Sequence, residues 1–505
     1  MNAKFVLAAL LCCGSVSADL KVTNHKDNSV VRYACVLLKG TCGSENDSAA
    51  DANLTIQVVQ HSGSPATQVA DNHVTDNDVA IDVSGGSFKA LAKLAKGKNT
   101  ITISDKTSGE KVELKITYQV QTNPYYVRLI WLTDSGGDTT YATALKNDPQ
   151  DYIAKVKTAG LLMQTATAEK MHDLDRERQT FRLERDANGE VIVHTLKAAK
   201  PREHYYSMGD QDWWRDTLRW LNRTHPDPFA KNVVLASFTR KDADTGKMKA
   251  HTALGGGNLG LFGSASVFSW PSSIKQTVAT FSDSSTYDST AIHNDSAGRN
   301  RIWGLASTTL GATLHETGHT FGLPHCTDRY GVMTRGFDRF NRIFTVVEPP
   351  SDANRQQVTF QSDQEARFGH VSASYLQLSP WFQADGPGKT RSIPKLKFDA
   401  QTGQLEISAD SGIAWIGVHS GSDIHGFLEY SGDDRKSQLK LSMEELVRAV
   451  NGQAVSRVEA VSASGQTTRI SISSDETHGH SQPTKPRIKW PGLHQILKMG
   501  GLRSS

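Results

Sequence analysis

Alternation of apolar and polar residues dominates the chain between residues 19 and 122. The stretches 54–59, 99–104 and 112–118 alternate at almost every position, which is the period of a β-strand with one buried face. Polar, turn-forming segments such as 105–109 separate them. We therefore predict an all-β domain of the immunoglobulin-like sandwich type over residues 19–122.

Strand and helix patterns are mixed across residues 123–385. Residues 125–132 form an apolar run that predicts a buried strand. Residues 148–173 begin with an Asp-Pro pair and carry apolar residues on one side, which predicts a helix. A second helix is expected from about Ser307 to Gly322, with a Ser or Thr at its start as the N-cap. This mixture indicates an α/β domain.

Strand-like alternation returns after a linker that contains Gly and Pro, at 385–388. Residues 390–475 predict a second β-rich domain with one short helix at 443–450. The tail at 476–505 is polar and basic, and we expect it to be disordered. The predicted fold class is thus a multidomain chain in which an α/β domain is flanked by N-terminal and C-terminal all-β domains.

The first eighteen residues have the features of a secretory signal peptide. Lys4 precedes an apolar run at 5–13, and small residues then lead to Ala18. We therefore predict a secreted, extracellular protein whose mature chain begins at Asp19. Sequons of the Asn-x-Ser/Thr type predict glycosylation along that route, at Asn46, Asn53, Asn222 and Asn294.

Length and composition narrow the choice of partners. With 505 residues and about 150 residues per domain, three domains are expected. The net charge of +3 is too small to indicate nucleic acid as a partner. Beyond the N-terminus, no stretch is long and apolar enough to predict a membrane span.

The strongest chemical signal is the sequence LHETGHTFGLPHC. His315 and His319 are four positions apart, so a helix places both imidazoles on one face, where they can bind one metal ion. Glu316 can reach a metal-bound water without being a ligand. Gly322 allows a left-handed turn that returns His325 as the third ligand. Three protein ligands and one open position are typical of a catalytic Zn²⁺ ion.

Met333 follows the third histidine within a glycine-flanked turn. The long zinc signature and a methionine turn together resemble the metzincin metallopeptidases. This resemblance implies a metzincin-like catalytic domain in which Met333 packs beneath the metal as a structural support. The chain is also similar to a poorly characterised eukaryotic group of zinc metallopeptidases, in which a β-rich, sometimes jacalin-like, domain follows the catalytic one. The motifs that carry the resemblance cover residues 300–340.

These residues predict a zinc endopeptidase that acts on protein or peptide substrates. Glu316 is expected to take the proton of the zinc-activated water and to pass it to the leaving amine. Two alternatives stay open: a carbohydrate- or protein-binding secreted protein with a vestigial zinc site, and an amidase or other hydrolase that acts on a non-peptide bond. The resemblance to jacalin-like domains adds glycan contact through the C-terminal domain as an expectation.

Three cysteines remain once the predicted signal peptide is removed. Cys35 and Cys42 are separated by six residues, and an oxidising compartment favours a disulfide between them. The competing role is a thiolate that fills the open zinc position and keeps the enzyme latent. Cys326, beside the third histidine, is expected to be a buried thiol.

Two regions keep more than one interpretation. The glycine-rich stretch 253–263 lacks the Gly-Lys-Ser/Thr ending of a phosphate loop. It is either a strand at the rim of a substrate cleft or a surface loop. The domain at 19–122 is a scaffold, a folding aid or a removable pro-region.

Overall fold

The computed structural model describes residues 19–43, 53–61, 78–290, 292–388 and 391–472. The predicted signal peptide, the sequon at Asn46 and the predicted tail at 476–505 lie outside these residues. Within them the chain has a mixed α/β structure with several β-sheets. None of the helices in these ranges is both long and apolar enough to cross a membrane.

The N-terminal region is built from strands, as predicted. Its strands are β1 (Lys21–Val22), β2 (Ser29–Val31), β3 (Cys35–Thr41), β4 (Leu54–His61), β5 (Val79–Ser84), β6 (Ser87–Lys93), β7 (Gly97–Asp105) and β8 (Lys111–Tyr118). They form two four-stranded sheets with the orders β1-β3-β6-β5 and β2-β8-β7-β4. Their buried side chains, among them Leu37, Leu91 and Ile101, belong to the same hydrophobic cluster as residues of the central region.

The predicted disulfide between Cys35 and Cys42 is wrong. Strand β3 begins at Cys35 and ends at Thr41, so the chain between the two cysteines is extended. Seven steps along a strand cover about 23 Å, whereas the Cα atoms of a disulfide lie within about 7 Å of each other. Burial raises the pKa of the Cys35 thiol to about 12, so this thiol stays protonated.

The central region carries a five-stranded sheet. Its elements are β9 (Tyr126–Thr133), α1 (Tyr152–His172), β10 (Val193–Lys197), α2 (Arg202–Tyr206), α3 (Asp210–Thr224), β11 (Ala230–Ala236), β12 (Arg240–Lys241), β13 (Met248–Lys249), β14 (Ala253–Gly256), β15 (Leu259–Gly263), α4 (Gln276–Phe281), α5 (Ile302–Thr320), β16 (Val347–Glu348), β17 (Val358–Thr359) and α6 (His370–Leu376). Five strands form a sheet with the order β10-β9-β11-β15-β14. Its first four strands are parallel, and β14 is an antiparallel edge strand.

Helix α5 begins at Ile302, earlier than the start predicted near Ser307. The whole helix is buried, so its hydroxyl side chains bond to carbonyl groups instead of capping a helix end. Ser307 Oγ donates to the Asp338 carbonyl at 2.9 Å, and Thr309 Oγ1 donates to the Leu305 carbonyl at 2.7 Å. Hydroxyl side chains in a helix interior often bond to carbonyl groups in this way. The Ser and Thr residues near position 307 are therefore not the N-cap of α5.

The C-terminal region is β-rich with one helix, as its pattern predicts. Its elements are β18 (Lys395–Asp399), β19 (Gln404–Ser408), β20 (Ile413–Ser420), β21 (Asp423–Glu429), β22 (Gln438–Ser442), α7 (Met443–Ala449), β23 (Arg457–Ser462) and β24 (Thr467–Ser471). They form two sheets, β18-β19-β22 and β21-β20-β23-β24. The second sheet packs on α6 through Trp415, whose Nε1 donates to Ser374 Oγ at 2.9 Å and whose ring contacts Tyr375.

One buried carboxylate joins the N-terminal sheet to the central region. The Glu365 side chain is 2% exposed, and Lys89 Nζ of β6 donates to it at 2.6 Å. Lys170 of α1 pairs with its other oxygen, and Lys39 Nζ of β3 lies 3.7 Å away. Burial raises the pKa of the Glu365 carboxyl, but the three ammonium groups outweigh burial and hold that pKa below its usual range. Glu365 is therefore ionised, and we call this group the Glu365 cluster.

Replacing Glu365 by Gln should strongly destabilise the fold, because the lysines would keep buried charge without a carboxylate partner. Breaking a buried ion pair from one side costs about 3–5 kcal/mol in the free energy of unfolding. Glu406 is the matched control, since it pairs with Lys440 on the surface and Glu406→Gln should leave stability nearly unchanged. Urea unfolding measures both variants, and equal losses would contradict the role given to Glu365.

The lowered pKa of Glu365 also sets the pH dependence of the stability that the Glu365 cluster contributes. An unfolded Glu has a pKa of about 4.3, and the folded value lies below it. The stabilisation is therefore complete above the unfolded pKa and is lost as the pH falls through the folded pKa. The stability difference between the wild type and Glu365→Gln should shrink below about pH 4.

Candidate metal centre and substrate cleft

Helix α5 carries the first two histidines of the predicted metal site, and the loop after it returns the third. His319 Nε2 lies 3.0 Å from His315 Nε2 and 3.2 Å from His325 Nε2. In the described part of the chain, these three residues are the group of His, Cys, Asp or Glu that could hold a metal ion. Nitrogens that share a tetrahedral zinc ion at about 2.0–2.1 Å are about 3.3 Å apart. The three side chains therefore fit a single zinc ion.

A Schellman turn at the end of α5 sets the direction of the third ligand. The Leu323 N–H donates to the Gly318 carbonyl, and the Gly322 N–H donates to the His319 carbonyl. Gly322 has a φ of +96°, a conformation that glycine adopts without strain. A Cβ at this position would also lie 2.6 Å from the Tyr375 hydroxyl. The predicted role of Gly322 thus agrees with its geometry.

The Nδ1 atoms of the two helical histidines fix the direction in which Nε2 points. His315 Nδ1 donates to the Val332 carbonyl, and His319 Nδ1 donates to the Leu323 carbonyl, both at 2.7 Å. A proton on Nδ1 leaves the lone pair on Nε2, where a metal can bind it. Burial lowers the pKa of all three imidazoles, to about 3 for His319. Neutral imidazole is the form that binds zinc.

Glu316 lies between α5 and the edge strand β14. Its side chain is buried, and burial raises the pKa of its carboxyl to about 8. The Gly255 N–H donates to this carboxylate and lowers the pKa in part. A Cβ at Gly255 would collide with the Glu316 carbonyl oxygen, so only glycine allows β14 to approach the helix this closely. The carboxylate is thus beside the ligands and is not one of them.

Met333 lies beneath the histidine helix, as the metzincin resemblance implies. It is fully buried, and its Sδ would be 2.6 Å from a Cβ placed on Gly318 of α5. The preceding residue, Val332, provides the carbonyl that orients His315. The turn closes through donation from the Gly336 N–H to the Gly331 carbonyl at 3.0 Å. The methionine turn therefore supports the helix and orients one ligand.

A large cleft opens at the metal site. Its volume is about 1920 Å³, and its walls include His319, His325 and residues 254–257 of β14 and its turn. The glycine-rich stretch 253–263 is therefore the antiparallel hairpin β14–β15 at the rim of the cleft, and the surface-loop interpretation is wrong. Another part of the lining comes from β20, β23 and β24 of the C-terminal sheet β21-β20-β23-β24.

The C-terminal sheet also holds the loop that carries the third histidine. The Ile424 N–H of β21 donates to the His325 carbonyl at 3.3 Å. Arg469 of β24 donates to the Gly322 carbonyl at 3.1 Å and pairs with the buried Glu459 of β23 at 2.9 Å. Sequence reasoning missed these residues. The available signal was the charged Glu459 between the apolar residues Val458 and Ala460.

The remaining predicted site residues are not part of the three-histidine metal group. Asn53, Asn222 and Asn294 are exposed, and their glycosylation stays a prediction. Cys326 is buried, as expected, and its Sγ lies 3.4 Å from Thr334 Oγ1. Burial raises the pKa of the Cys326 thiol, and Cys326 is not part of the three-histidine metal group.

Proteins of known sequence that resemble this chain are named as zinc metalloproteinases. One "Putative zinc metalloproteinase", from Schizosaccharomyces pombe, is 32% identical over 283 residues, which are 52% of this chain and 45% of that protein. Another, from Saccharomyces cerevisiae, is 25% identical over 468 residues, which are 82% of this chain and 64% of that protein. The matches therefore span less than two thirds of the length of either relative.

A solved structure and a family profile complete the comparison. Wild-type OgpA from Akkermansia muciniphila superimposes with a TM-score of 0.42 at 14% identity, over 70% of this chain and 94% of that one. The profile of the "Putative peptidase family" (Metallopep) matches residues 19–416. The resemblance to zinc metallopeptidases predicted from the histidine motif is thus confirmed, and because the profile covers most of its length, this chain belongs to the Metallopep peptidase family.

Proposed function

We propose that this protein is a secreted zinc endopeptidase in which Glu316 is the general base. The observation that carries the proposal is the convergence of three Nε2 atoms beside a buried carboxylate, at the wall of a cleft. The family membership supports the same chemistry. Secretion is supported by the sequence of residues 1–18. Detection of the protein in the medium of expressing cells, beginning at Asp19, tests that part.

The residues of the site have separate tasks. Zinc held by His315, His319 and His325 supplies the Lewis acidity that activates water and polarises a peptide carbonyl. The Glu316 carboxylate accepts a proton from the attacking water and gives it to the leaving amine.

The edge strand β14 offers a binding site for an extended peptide. One side of β14 pairs with β15, and β14 is the last strand of the sheet. Residues 254–257 face the cleft, beside the helix that carries Glu316. A substrate that adds a strand there would place its backbone along the catalytic residues. This arrangement fits an endopeptidase, because both ends of the peptide can leave the cleft.

The alternative of a binding protein with a vestigial zinc site explains less of the geometry. Such a protein does not need a buried carboxylate next to the ligands, where its desolvation costs free energy. Glu316 nevertheless lies there, with its pKa raised by burial. The binding alternative and the amidase are outcomes of the experiments below: a zinc-loaded protein that cleaves no peptide would favour them.

Glu316→Gln should abolish most hydrolysis and leave the zinc content unchanged, because Glu316 is a proton carrier and not a ligand. Loss of a general base lowers the rate about 10²–10⁴-fold. Cleavage of a denatured protein, read by mass spectrometry, measures the rate, and elemental analysis measures the zinc. Glu203→Gln, on the exposed helix α2, is the matched control. Hydrolysis by Glu316→Gln at the wild-type rate would exclude this mechanism.

His325→Ala should weaken zinc binding, because it removes one of three ligands. The purified wild-type chain should contain one zinc ion, and chelation should stop hydrolysis until zinc is restored. His370→Ala is the control, since this exposed histidine lies at the start of α6 and is not in the metal group. A fully zinc-loaded His325→Ala protein would show that the third ligand is a different residue.

A further inference from the structure

Apart from Glu316, which is buried next to the metal ligands, the charged side chains at the substrate cleft are cations. Its cationic side chains are Arg215, Lys231, Arg391, Arg457 and Arg469. Among the lining residues that the structure describes, none is Asp or Glu. The chain as a whole has a net charge of only +3, so this positive charge is a local property of the cleft.

Two of the five cations have carboxylate partners. Arg215 pairs with Asp212 at 3.0 Å, and Arg469 pairs with Glu459 at 2.9 Å. Within the described ranges, no ion pair joins Lys231, Arg391 or Arg457 to a carboxylate. These three residues, which we call the cationic triad, are therefore the source of uncompensated positive charge.

Two members of the triad contact aromatic side chains. Lys231 Nζ lies 4.2 Å from the centre of the Trp381 ring, and it donates to the Gly257 carbonyl at 2.7 Å. Arg391 Nη2 donates to the Tyr125 hydroxyl at 3.1 Å. The Tyr125 and Trp381 rings are 4.6 Å apart, so the two cations contact neighbouring aromatic side chains. Both cations line the cleft.

The third member comes from the C-terminal sheet. Arg457 is the first residue of β23. In the sheet it lies opposite His419 of β20 and Ser471 of β24, and all three residues line the cleft. The triad thus combines residues from the central region and from the C-terminal region. A substrate in the cleft would meet positive charge from both walls.

We propose that the cationic triad selects polypeptide segments that carry anionic side chains. The proposal names the substrate class of the cleft and rests on the proposed peptidase function. An anion would compensate charges that the fold leaves without carboxylate partners, and such complementarity raises association rates and specificity. Burial lowers the pKa of Lys231 to about 8, and a bound anion would stabilise its charged form. The anion is either a Glu or Asp carboxylate or a phosphoserine.

Binding to the full chain carrying Glu316→Gln tests the proposal without catalysis. The probes are fluorescein-labelled peptides of one scaffold with four Glu, four Gln or four phosphoserine residues. Fluorescence anisotropy should show about tenfold tighter binding of the Glu peptide than of the Gln peptide, the equivalent of about 1.4 kcal/mol. The difference should shrink as salt shortens the screening length below about 8 Å. The phosphoserine peptide distinguishes the two sources of negative charge.

Variants of the triad assign the effect to these residues. Lys231→Met, Arg391→Gln and Arg457→Gln should each weaken binding of the Glu peptide about two- to fivefold. The matched controls are Lys115→Met on β8 and Arg219→Gln on α3, which remove exposed cations outside the cleft and should change nothing. Equal binding of the Glu and Gln peptides, or equal effects of triad and control variants, would overturn the proposal. Tighter binding of a single-stranded oligonucleotide would overturn it as well.

The outcomes separate this proposal from the peptidase function. If the wild-type chain cleaves peptides but the Glu peptide has no binding advantage, the anionic preference is wrong and the peptidase function stands. If the Glu peptide binds more tightly through the triad but no peptide is cleaved, the preference stands and the peptidase function is wrong. A library cleavage experiment, read by mass spectrometry, should place acidic residues near the cleaved bond.

Discussion

The hydrogen bond from His315 Nδ1 to the Val332 carbonyl is the interaction on which the metal centre depends. This bond directs the lone pair of His315 Nε2 toward the proposed metal position, where the Nε2 atoms of the other two imidazoles also converge. Val332 is itself held, because its N–H donates to the Arg367 carbonyl at 2.7 Å, and the Arg367 side chain pairs with Asp328. Glu365, two residues before Arg367, sits in the buried cluster of lysines. One ligand is thus anchored, step by step, to the N-terminal sheet.

The N-terminal region is closely joined to the central region. Lys89 of β6 is buried against Glu365, and apolar side chains of both regions form a shared cluster. None of the described lining residues of the cleft precedes Tyr125. Removal of the N-terminal region would leave buried charges of the central region without partners. A scaffold, a folding aid and a removable pro-region stay its three predicted roles.

The sequence predicted the parts of the site whose residues lie close together along the chain. Two histidines four positions apart, a glycine at the turn and a methionine in the next turn are set by helix and turn geometry, so His315, Gly322 and Met333 could be recognised. The Cys35–Cys42 bridge was wrong because a short spacer can be an extended strand as well as a loop. Glu365 and the cleft wall of the C-terminal sheet could not be predicted, because their partners are far away in the chain.

The backbone β-bridge between Cys326 and Ile424 has a consequence for the order of folding. His315 and His319 acquire their spacing as soon as α5 forms, whereas His325 is held by a strand that is synthesised much later. Contacts of such long sequence separation form slowly, and domains fold as their residues emerge from the ribosome. An unfinished chain therefore has two helical ligands without the support for the third. The strand that supports the third ligand is thus among the last parts of the site to be synthesised.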